Sequence, residues 1–152
     1  MPSRLVVTVA LILFSACIGD SAGTCVPDVT TREPLIGPEG QARSADSIET
    51  WALFFPSFPM PPGEPIEIPV DTEIKIVWRV TGEGDLSIEA HGPDGTTIDP
   101  DWGPDAHTGS NWERPGDEWG TGWTFAKDGC WTFEVRRGDS TAQLSVDIQD
   151  GV

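Results

Sequence analysis

Ser21 lies in the run Gly19-Asp20-Ser21-Ala22-Gly23, one letter away from the GDSGG found around nucleophilic serines. A serine of that kind needs a base within hydrogen-bond reach and a third group that orients the base. The chain offers two histidines, His91 and His107, and both stand in turn-rich surroundings with no visible orienting partner. Five letters without that geometry do not make a triad. Chemistry by paired carboxylates has one tight acidic pair, Asp117-Glu118, and consecutive strand residues point to opposite faces. An envelope enzyme using carboxylates is therefore the weakest of the readings considered, and the chain reads as non-enzymatic.

Binding chemistry is concentrated in residues 91–120, which are acidic and rich in Trp. Asp94, Asp99, Asp101, Asp105 and Asp117 supply the oxygens that Ca²⁺ seeks, but their spacing matches neither an EF-hand nor a nonapeptide repeat. Solvated carboxylates shaping Asx-turns explain them more simply. Trp102, Trp112 and Trp119 would suit a carbohydrate-binding module if they formed an exposed platform for a sugar ring. In a small sandwich the same indoles also serve to close the open end of the core. His107, alone beside Thr108 and Gly109, reads as a hydrogen-bonded surface residue. No metal or cofactor is expected.

The N-terminus reads as an address. Leu5 to Ala16 is an uncharged run of twelve residues that follows a single Arg. A bilayer-spanning helix needs about 20 apolar residues and the apolar region of an export signal roughly 7 to 15, so residues 1–16 read as a signal peptide. Phe14-Ser15-Ala16-Cys17 resembles a bacterial lipoprotein cleavage box, with Phe where Leu is usual. Cys17 then becomes the lipidated first residue of an extracytoplasmic protein held at the membrane by its acyl chains. The alternative is a secreted protein cut near Ala22, where Asp20 is a poor fit to a small-residue cleavage site. In either case Ser21 falls in a segment that no strand holds.

Charge narrows the partners. With 9 basic and 25 acidic residues the formal net charge is −16, which repels nucleic acid and anionic head groups alike. Contact with a membrane must therefore run through the N-terminal lipid, and an envelope protein or a glycan remains as the partner class.

From residue 17 to 47 the chain is polar and interrupted by Pro27, Pro34, Gly37, Pro38 and Gly40, so it reads as a flexible tether with a root-mean-square reach of about 30 Å. Residues 48–152 read as one domain. Ile74, Ile76, Trp78 and Val80 alternate with Lys75, Val77 and Arg79, and Leu86, Ile88 and Ala90 repeat the pattern. Further strands are expected at Trp51–Phe55, Ile66–Val70, Thr96–Ile98, Gly120–Phe125, Trp131–Arg136 and Thr141–Ile148. Short strands, high Gly and Pro and no helical period predict an all-β protein, an antiparallel β-sandwich.

Residues 116–148, GDEWGTGWTFAKDGCWTFEVRRGDSTAQLSVDI, resemble the C-terminal part of uncharacterised bacterial surface lipoproteins with an immunoglobulin-like domain. The stretch EIKIVWRVTGEGDLSIEAHGPDG resembles their central hairpin. The resemblance implies an Ig-like sandwich with a binding or structural role and brings no catalytic residues. If Cys17 carries lipid, Cys25 and Cys130 remain as an even pair in an oxidising compartment. Strand parity puts Cys130 opposite the Trp131, Phe133 and Val135 face, within reach of a passing segment. A disulfide and two free thiols both fit that spacing.

Overall fold

The computed structural model describes residues 25–31, 37–57 and 66–150. The proposed signal peptide, Cys17 and the run around Ser21 lie outside the described residues. Among those residues there are twelve strands and no helix. The first half of the chain contributes β1 (Val29–Thr31), β2 (Pro38–Gln41), β3 (Arg43–Ser44), β4 (Thr50–Phe55), β5 (Glu67–Pro69) and β6 (Ile74–Val80). The second half contributes β7 (Leu86–His91), β8 (Thr97–Ile98), β9 (Trp102–His107), β10 (Asp117–Trp123), β11 (Gly129–Arg137) and β12 (Ser140–Gln149).

Two six-stranded sheets pack face to face. The first has the order β1-β2-β4-β6-β10-β9, and the second the order β3-β12-β11-β7-β8. Strand β5 adds to β12 in parallel over Asp147–Gln149, beyond the Ala142–Gln143 stretch that β3 pairs; the other pairings are antiparallel.

The core follows from the period of two. Ile74, Ile76, Trp78 and Val80 of β6 face Trp131, Phe133 and Val135 of β11 and Ala142, Leu144, Val146 and Ile148 of β12, all buried. At its centre the aromatic rings meet edge to face: Trp78 and Phe133 at 5.3 Å, Trp123 and Phe133 at 5.0 Å, Phe125 and Trp131 at 5.0 Å. The indole N–H groups find partners inside the core. Those of Trp78 and Trp123 both donate to the Thr121 hydroxyl at 2.8 Å, and that of Trp131 donates to the Lys127 carbonyl at 3.0 Å.

The expected strands coincide with β4 to β8, β11 and β12 to within a residue or two, while the one expected over Gly120–Phe125 starts earlier, at Asp117. Two expectations need correction. Residues 29–44, expected to belong to the tether of residues 17–47, supply β1, β2 and β3, so the sandwich begins well before Ile48. Backbone pairing holds these short strands where side-chain alternation gives no sign of them. Asp28 N–H donates to the Ser145 carbonyl at 3.0 Å, and the Asp28 carboxylate accepts from Ser145 N–H at 2.9 Å. Gly40 is packed so closely that a Cβ would lie 2.8 Å from Val29 and 3.0 Å from Leu144. A glycine that reads as a linker is here a close-packing residue. The second correction concerns residues 91–120, expected as one long loop after Ile98: they contain β9 and the start of β10.

Candidate functional site

The outer face of the first sheet is covered by the loop of residues 108–116, which joins β9 to β10. Pairing sets His107 opposite Glu118, Glu118 opposite Arg79, and Glu39 of β2 opposite Leu53 of β4, all pointing away from the main core. Leu53 and Val77 are apolar at positions where alternation predicts exposure. The loop explains them: Trp112 drops onto both and makes a second, smaller core flanked by Trp51 and Phe55.

Two buried carboxylates hold the loop down. Glu39 accepts the Trp112 indole N–H at 2.7 Å and the Arg114 guanidinium at 2.6 Å, while Arg114 lies over the Trp51 ring at 4.6 Å. Glu118, with a side chain only 2% exposed, accepts from Arg79 Nε at 2.8 Å and from the Ser110 hydroxyl at 2.5 Å, and its other oxygen meets His107 Nδ1. Arg79 also donates to the Gly116 carbonyl at 3.0 Å, which ties both ends of the loop to one guanidinium. Burial works to raise the Glu118 pKa. Hydrogen bonds from Ser110 and His107 and the Arg79 and His107 charges outweigh it, so the carboxyl sits below its ordinary range.

Beside this cluster lies an open cleft of about 460 Å³, lined by Arg79, His107, Thr108, Gly116, Glu118 and Trp119 among others. A smaller one of about 80 Å³ sits on the far side of Glu118, between Phe55, Lys75 and Trp112. The larger cleft joins an exposed imidazole to a buried ion pair. His107 is oriented by a carboxylate, and the Ser110 hydroxyl donates to Glu118 and not to the imidazole.

The tryptophans expected to form a platform are separated. Trp112 is buried under the loop, Trp119 faces inward beside Trp78 with the Arg137 guanidinium 4.5 Å over its ring, and Trp102 lies on the outer face with its indole N–H on Glu73 at 3.2 Å. Of the three, only Trp119 lines the larger cleft. Two of the aspartates considered as Ca²⁺ ligands are paired with cations instead, Asp94 with Lys127 and Asp117 with Arg137. Cys25 and Cys130 are joined in a disulfide with Cα atoms 5.2 Å apart. Glu39, Arg79 and Arg114 were not legible as site residues because each finds its carboxylate or cation partner across dozens of residues, and Ser110 was not because nothing local marks a covered sheet face.

Comparison of the chain with protein-family models, curated proteins and solved structures finds no match.

Proposed function

We propose that the chain is a lipid-anchored, extracytoplasmic module with an Ig-like sandwich that binds an envelope protein or glycan through the cleft beside His107. The disulfide between Cys25 and Cys130 carries this reading, because such bonds persist in oxidising compartments and are rare where glutathione and thioredoxin keep thiols reduced. Cys17 is left as the one cysteine available for lipid. The Ig-like assignment is supported by the pairing of β11 along its whole length with β12 and by the aromatic Trp131 near the start of the penultimate strand. A binding role, in preference to catalysis, is supported by the hydrogen-bond commitments of Ser110 and Arg79.

Intact-mass analysis of the mature protein tests the anchor. A chain that starts at Cys17, carries added acyl mass and partitions into detergent is expected, with Cys17→Ser abolishing both. A mature chain beginning at Gly23 without acyl mass overturns it.

A further inference from the structure

The outer face of the second sheet carries a cluster that takes no part in the cleft. Glu89 and His91 are two residues apart on β7 and so share a face, and pairing with β11 puts Glu134 directly opposite Glu89. The imidazole and the two carboxylates offer donor atoms that all lie within 4.8 Å of one another. Strand β11 is paired on both sides, by β7 and β12, so the triangle is set by sheet backbone and not by a loop.

Two carboxylates directly opposite each other repel and call for a cation between them. Arg136 answers that demand, touching Glu134 and lying 3.9 Å from Glu89. It is half-exposed and stands at the rim of the cluster, so it can leave without unpacking anything. His91 shows a different commitment. Its Nδ1 is bonded to the Thr97 hydroxyl at 3.0 Å, and its Nε2 stands 4.0 Å from the Glu89 carboxylate. The hydroxyl fixes the ring's orientation, and in the tautomer whose Nδ1–H donates to it Nε2 keeps its lone pair, the arrangement that metal-ligating histidines use. Balancing two carboxylates with a guanidinium needs no such orientation of the ring.

We propose that Glu89, His91 and Glu134 bind a divalent ion of the Zn²⁺ class, with Arg136 as the resident cation that the metal displaces. One nitrogen and two carboxylate ligands fit Zn²⁺ and leave a coordination position open to water or to a donor group on a partner. Ca²⁺ takes about six to eight oxygens and Mg²⁺ favours oxygen in octahedral array, so neither matches this donor set. The net charge of −16 raises the local concentration of any divalent cation.

Calorimetric titration of the disulfide-intact protein with Zn²⁺ alone tests the site, followed by Co²⁺ for its ligand-field absorption. One ion per chain is expected, with His91→Ala, His91→Gln and Glu134→Gln each weakening binding at least about tenfold and Thr97→Val weakening it about tenfold through loss of ring orientation. Arg136→Gln removes the competitor and tightens binding, and His107→Ala, on the other sheet, leaves the Zn²⁺ affinity unchanged. Circular dichroism melts check that each variant, the largely buried Glu134 included, is folded. No saturable binding to either the wild type or Arg136→Gln overturns the proposal. So does binding that survives both His91 substitutions, or binding that is lost in His107→Ala.

Discussion

The hydroxyl of Thr121 accepts two indole N–H groups, from Trp78 and Trp123, and donates to the Ile76 carbonyl at 3.3 Å, all in a fully buried environment. Replacing it with the near-isosteric Val keeps the packing and leaves two buried donors without a partner, each worth roughly 1–3 kcal/mol. Thr121→Val is expected to lower unfolding stability by about 2–4 kcal/mol in urea, whereas Thr121→Ser keeps the hydroxyl and costs about 1 kcal/mol for the lost methyl. Equal losses in the two variants would show that the hydrogen bonds contribute nothing beyond packing. The sequence places Thr121 only within the strand expected over Gly120–Phe125. Its role emerges when β6 pairs with β10 and brings in an indole from 43 residues away.

Loop 108–116 depends on the Glu118 carboxylate, which must stay ionised. The folded-state pKa of Glu118 lies below its ordinary value, so its contribution is complete above the unfolded value of about 4.3 and is lost as pH falls from there toward the folded value. Urea unfolding followed from pH 7 down to about pH 3 is expected to show wild-type stability falling more steeply than that of Glu118→Gln, which has no proton to take up at this position. Asp94, which Lys127 holds well below the usual carboxylate range, titrates in both proteins and cancels in the difference. Parallel pH profiles would mean that the latch is not electrostatic. At this scale legibility splits by mechanism. Strands β6, β7, β11 and β12 declare themselves because one face is buried and the other is not. Strand β9 does not, since Trp102-Gly103-Pro104-Asp105-Ala106-His107 has no alternation, and an edge position lets it carry a proline. It is held instead by close approach: the Trp102 indole lies where a Cβ on Gly122 would be, 1.9 Å from its nitrogen. Strands β1 to β3 are too short for any periodicity, and Val77 and Leu53 read as anomalies until the loop covers them.

Across the whole molecule, the disulfide connects the segment before β1 to the start of β11 at the centre of the opposite sheet, and encloses a sequence separation of 105 residues. That pairing was left open by cysteine spacing, and it settles only when Asp28 is laid along Ser145 of β12 and brings Cys25 close to Cys130. Chain-entropy reasoning gives such a cross-link about 4.7 kcal/mol at most, which concerns a molecule at rest. Under tension the same bond fixes where load travels. A pull applied at the N-terminal end enters the sandwich through Cys130 and passes into the nine-residue ladder between β11 and β12, without peeling β1 from β2 or opening the first sheet. In single-molecule stretching between the two termini, the oxidised protein is therefore expected to hide about 350 Å of contour, at roughly 3.3–3.6 Å per residue, which appears only after reduction. Equal extension with and without reductant would mean that the first sheet bears the load. With the bond closed, the Arg79–Glu118 latch lies on the branch between Cys25 and Cys130, so load passed from one terminus to the other bypasses it and reaches it only after the bond is reduced.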